Sequence, residues 1–189
     1  MASFKVLPGS PPCGAMAKPF PSSGYSAFRE GFVVQFESEK IGTWVGNFQP
    51  GLTTFSGVYQ HPDGVHVIVV SGGAVYIVNP NTQTTEESDG MVYSVNQLGE
   101  GKDLLFNNGI YLSLIGRDHN WRTSRLSWDG IRNLSVSGDV VSGESWRYDD
   151  TWHRFSVSLR DGSHTGGAYD LSEFVPVKHP WQQFWKRHA

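Results

Sequence analysis

Residues 121–168 read WRTSRLSWDGIRNLSVSGDVVSGESWRYDDTWHRFSVSLRDGSHTGGA, and this stretch decides the fold. Phe155, Val157 and Leu159 share one parity; Arg154, Ser156 and Ser158 share the other. Side chains alternate faces along a strand, so this is a strand with one apolar face. Leu126 and Trp128 alternate in the same way with Thr123, Arg125 and Ser127, and Leu134 and Val136 with Asn133, Ser135 and Ser137. Asp129-Gly130, Gly138-Asp139, Asp149-Asp150 and Asp161-Gly162 stand between the runs. Gly accepts positive φ and Asp bonds its own backbone, so these pairs mark tight turns. Strand and turn recur about every ten residues, the signature of an antiparallel meander.

The meander extends toward the N-terminus. Phe32, Val34 and Phe36 share a face, Gly42-Thr43-Trp44 opens another strand, and residues 53–60 end at the turn His61-Pro62-Asp63-Gly64. Residues 65–79 are the most apolar part of the chain. Both parities are apolar in 67–70, which predicts a strand covered on both faces. Ser71-Gly72-Gly73 and Asn107-Asn108-Gly109 read as hairpin turns. The expected fold is all-β: one antiparallel meander forming a sandwich or barrel of about 12 strands over 28–172. A Pro/Gly/Ser-rich arm, 1–27, is expected to be irregular. The tail, 173–189, is expected to end in a short helix, because Pro180 suits a first helical turn and Trp181, Phe184 and Trp185 fall on one helical face. Turns near 72, 108, 138 and 161 recur at shrinking intervals of 36, 30 and 23. A few-bladed propeller, which asks for a steady period, is therefore the alternative.

The run Trp121-Arg122-Thr123, Ser127-Trp128-Asp129-Gly130, Ser142-Gly143-Glu144-Ser145-Trp146, Trp152, Phe155 and Thr165-Gly166-Gly167-Ala168-Tyr169 resembles a pattern in an uncharacterised, mostly bacterial family of small all-β proteins. The resemblance spans roughly 42–170. It implies one compact β unit and a cytoplasmic setting, and implies nothing about catalysis. Gly42-Thr43-Trp44 is also similar to the GxW opening of lipocalin-type barrels, which implies a barrel cavity for an apolar ligand.

Composition narrows the function. Charged residues make up 17% of the 189, Gly contributes 22, and the net charge is −3. With no basic stripe, a nucleic-acid partner is disfavoured. No stretch approaches the ~20 apolar residues that cross a bilayer. The N-terminus has no apolar signal core, and its prolines interrupt the helix of a transit peptide. Cys13, the single cysteine, forms no internal bridge, which favours a reducing compartment. No GxxxxGK[ST], GxGxxG or GxSxG occurs, so no cofactor is expected and a standard nucleophile elbow is absent.

Aromatics are the main chemical resource. Trp121, Trp128, Trp146 and Trp152, with Arg122 as a polar neighbour, are the expected ligand-binding residues. Planar rings on a β surface stack on sugars and flat ligands. The preferred reading is a non-enzymatic binding or interaction protein whose partner is a small molecule or another protein, homodimerisation being one way to cover sheet edges. The alternative is a hydrolase or isomerase using Asp149, Asp150 and His153 as an acid–base group. His61, Asp63 and His66 are the one cluster with metal-ligand character, though His-Pro-Asp-Gly is also good turn chemistry.

Overall fold

The structure is a computed structural model that describes residues 3–14, 16–21, 29–99 and 103–169, the side chains of 87–89 excepted. Among the described residues, sixteen strands form four four-stranded sheets that follow one another along the chain. The first holds β1 (Ser3–Leu7), β2 (Lys18–Phe20), β3 (Phe32–Ser38) and β4 (Gly42–Phe48), in the order β1-β3-β4-β2. The second holds β5 (Gly57–Gln60), β6 (Val67–Ser71), β7 (Ala74–Asn79) and β8 (Thr84–Asp89). The third holds β9 (Ser94–Leu98), β10 (Asp103–Asn107), β11 (Leu112–Ile115) and β12 (Asn120–Arg122). The fourth holds β13 (Ile131–Ser137), β14 (Val140–Trp146), β15 (Trp152–Ser158) and β16 (His164–Gly166).

All-β architecture is therefore right, and the single sandwich or barrel is not. Among the described residues no sheet closes on itself, and the strands divide among four small sheets. The lipocalin-like cavity falls with the barrel: Trp44 is 6% exposed and packs in the core, its indole N–H donating to Pro80 O at 2.9 Å. β1 and β2 come from the stretch expected to be an irregular arm, and β2 pairs β4 in parallel. The expected C-terminal helix lies outside the described residues. Among those described there is no helix, hence none long and apolar enough to cross a membrane.

Three hydrophobic clusters join the sheets in chain order. Phe36, Trp44 and Phe48 of the first sheet meet Val67, Val69, Tyr76 and Val78 of the second. Ile68, Val70 and Val75 of the second meet Leu104 and Phe106 of the third. Leu105 and Leu112 of the third meet Val141, Phe155 and Val157 of the fourth. The double apolar parity of 67–70 is thus explained: odd positions face the first sheet and even positions the third. In the fourth sheet the odd residues of β14 and β15 face inward, and the even ones have no sheet packed on them among the described residues.

The connectors are held by backbone bonds to the hairpin tips. Gly73, at φ +85°, donates to Phe55 O at 2.8 Å and accepts from Val92 N at 3.0 Å, tying the second sheet to the connectors on either side. Leu126 N donates to Ile110 O at 2.8 Å and Gly130 N to Gly109 O at 2.9 Å, doing the same between third and fourth sheets. The fully buried Ser127 hydroxyl lies 2.7 Å from Gly130 O and 3.0 Å from Trp146 O.

Candidate functional site: the open face of the last sheet

Cross-strand register lays out this face in rows. Trp146 stands opposite Trp152; Glu144 lies between Arg132 and Arg154; Ser142 lies between Ser135 and Ser156, with Thr165 beyond. The rows follow from alternation alone, since cross-strand partners on a pleated sheet share a face. Asn133, at φ +54°, is the bulge that shifts the register between Arg132 and Ser135, and its side-chain amide donates to Glu144 Oε2 at 2.9 Å. Arg132 Nε donates to the same oxygen at 2.9 Å. These two bonds, Arg132's first, lower the Glu144 pKa, so the carboxylate is an ionised acceptor at neutral pH.

The expected ligand residues do not converge. The Arg132 guanidinium lies 3.8 Å from the Trp152 ring centroid and covers one face of that indole. Trp146 is half-buried, and among the described residues no ring or cation stacks on it. Trp128 sits in a connector beside Tyr148 at 5.3 Å and Tyr169 at 5.2 Å. Arg125 fills the space between Trp128 and Tyr169 and donates to Ser127 O and Trp128 O, each at 2.8 Å. Trp121 is on the opposite side of the fourth sheet. Its indole N–H donates to Leu159 O at 2.8 Å, and its ring packs on Gly162, where an added Cβ would lie 2.7 Å away. Trp121 therefore pins the third sheet to the fourth. Arg122, next along β12, lies on the other face of that strand and lines a groove that Trp121 also borders. The fourth sheet itself separates Trp121 from Trp146 and Trp152, so no single pocket of four tryptophans forms.

Arg132, Glu144, Arg154, Ser142 and Ser156 were absent from the expected site. Their signal was present in the even positions of 140–146 and 152–158. The missing information was that, among the described residues, this face has no sheet against it.

At the β14–β15 hairpin, Thr151 Oγ1 donates to Asp149 Oδ1 at 2.5 Å and lies 2.8 Å from His153 Nε2. The bond from the Thr151 hydroxyl lowers the Asp149 pKa. Asp150, at φ +63°, is the turn residue, and both aspartates are exposed. The carboxylate reaches the imidazole only through Thr151, and none of the described grooves is lined by these residues. This is the bond pattern of a hairpin tip.

At the second cluster, Asp63 Oδ1 accepts from Val65 N at 2.8 Å and His66 N at 2.9 Å, and Asp63 Oδ2 lies 2.6 Å from His66 Nδ1. His61 Nδ1 accepts from Asp63 N at 3.1 Å. Both Nδ1 atoms are thus engaged in turn bonds, and among the described residues no group of three His, Cys, Asp or Glu side chains is arranged for a metal ion. Partial burial raises the Asp63 pKa, but the His66 and Val65 bonds and the nearby His61 outweigh it and hold the carboxyl well below its usual range. A depressed carboxylate pKa stabilises the fold above the unfolded value near 3.9, and that contribution is lost as pH falls toward the folded value. Urea midpoints measured below about pH 4 should therefore fall more steeply for wild type than for Asp63→Asn. Equal slopes would show that the Asp63 bonds contribute nothing to the turn.

No family model matches the chain, and no curated protein matches it.

Proposed function

We propose that the protein is a non-catalytic binding module that holds a glycan against the open face of its fourth sheet. The observation that carries this reading is Trp146, half-buried with no ring or cation stacked on it among the described residues, beside rows of mixed donors and acceptors. A sugar ring offers a C–H face that stacks on an indole, and hydroxyls that need both donors and acceptors. Arg132 and Arg154 supply donors, Glu144 supplies an ionised acceptor, and Ser142 and Ser156 supply both. Cross-strand register presents these rows on one face, and an extended ligand lies along them. In this reading the fold is propeller-like but open, and the free face of its last blade is the working surface. The reading keeps the expected reducing, cytoplasmic setting, where a lone thiol stays reduced.

The test is calorimetric titration with cellohexaose, xylohexaose and chitohexaose. At least one should bind with Kd below about 1 mM. Trp146→Ala should weaken that binding about tenfold or more, a loss of about 1.4 kcal/mol, with the melting temperature unchanged. Trp121→Phe should leave it alone. If none of the three binds, or if Trp146→Ala binds as wild type does, the proposal is wrong.

A further inference from the structure

The geometry points to a second, independent site: a groove between the second and third sheets that takes a small apolar carboxylate. β11 and β12 pair so that Ser113 stands opposite Arg122 and Ile115 opposite Asn120. Ile115 packs with Phe106 and Val75 in the cluster joining second and third sheets, so these four residues share the side that looks toward the second sheet. There they border a groove of about 360 Å³, walled by Val75, Phe106 and Ile115, with Ser113, Asn120 and Arg122 as its polar edge. That volume lies at the lower end of the range for small-molecule sites, roughly 300–1,000 Å³.

Ser113, Asn120 and Arg122 each offer donors that have no acceptor among the described residues. The exposed Arg122 guanidinium rests 5.0 Å from the Tyr111 ring centroid and has no carboxylate partner among the described residues. Asn120 uses Oδ1 to accept from Gly116 N at 3.1 Å, which leaves its amide protons for a ligand. The Ser113 hydroxyl has no protein partner among the described residues. Among residues with described side chains, no Asp or Glu lines the groove. One positive charge, added neutral donors and apolar walls select a monoanion with an apolar body. A guanidinium held on an aromatic face binds the two carboxylate oxygens through parallel N–H bonds. A phosphate dianion would leave one charge uncompensated against apolar walls.

The probes are 2-naphthoate and its uncharged counterpart 2-naphthamide, titrated into 15N-labelled full-length protein. Naphthoate should shift the backbone amide signals of Ser113, Asn120 and Arg122, and should bind about tenfold tighter than naphthamide, the effect of one charge-assisted pair. Arg122→Gln should bring naphthoate down to the affinity of naphthamide and leave naphthamide unchanged. Arg122 is exposed, so the substitution should keep the spectrum dispersed. Should it not, the carboxylate-to-amide ratio in wild type, and its decline with added salt, decides the matter. Equal affinity for the two probes, shifts confined to other residues, or full naphthoate binding by Arg122→Gln would overturn the inference. The site shares no residue with the glycan face, and Trp146→Ala should not affect it, so either proposal can fail alone.

Discussion

Phe48→Ala is expected to cost about 3–5 kcal/mol of stability, the range for truncating a buried aromatic. Phe48 is 0% exposed. Its ring stacks on Phe20 at 5.1 Å, meets Phe36 edge-on at 6.1 Å, and lies 5.3 Å from Tyr76 of the second sheet. It is where the first sheet grips the second. The neighbours are themselves anchored: Tyr76 donates its hydroxyl proton to Gln49 O at 2.9 Å, so the site cannot collapse freely around the cavity. The measurement is urea unfolding, read as a lower midpoint with the slope unchanged. A loss under about 1 kcal/mol would mean that the two sheets do not depend on this contact for their cohesion.

Gly73→Ala should be comparably damaging although it adds only a methyl group. At φ +85° the backbone is in the left-handed region, which costs an L-residue about 1–2 kcal/mol. The new Cβ would lie 2.5 Å from Thr53 Oγ1 and 2.9 Å from Val92 O. Thr53 cannot simply rotate away, because its hydroxyl donates to that same Val92 O at 2.7 Å. Relieving the clash moves both connectors that the Gly73 backbone holds, and overpacking of this kind adds about 1–3 kcal/mol. A total of about 2–5 kcal/mol follows from the two contributions. Gly138→Ala is the control. It has φ +57° but nothing within 4 Å of an added Cβ, so it should show the backbone cost alone. If the two variants lose equal stability, the connector clash is not real.

The meander was legible over 131–158 because alternation is a property of the strand itself, whereas the alternating run 123–128 is a connector and not the strand expected there. β13, β14 and β15 fall where parity and the Asp/Gly turns place them. The double parity of 67–70 was legible for the same reason. The repeat was obscured by the choice of turns. The turns near 72 and 108 are the middle hairpins of their sheets, whereas those near 138 and 161 are the first and last hairpins of the fourth. The second strands of the middle hairpins start at Gly42, Ala74, Leu112 and Trp152, offsets of 32, 38 and 40, so the interval grows instead of shrinking. Counting the equivalent hairpin requires knowing where one sheet ends, and that depends on which strands pair.

The candidate sites divide in the same way. Sequence named the tryptophans as the chemical resource but could not say which were structural. Trp121 is fixed by Leu159 O and Gly162, and Trp128 by Arg125, Tyr148 and Tyr169, through partners that are mostly far along the chain. By itself the sequence determined the all-β class and the face on which each residue of a strand lies, because side-chain alternation and turn chemistry are local. The tertiary structure alone decided that the strands divide into four sheets, that Trp146 has no described ring or cation stacked on it, and that Ser113, Asn120 and Arg122 border one groove. Those outcomes depend on which sheet packs against which face, and that packing is set by contacts between residues distant in the chain.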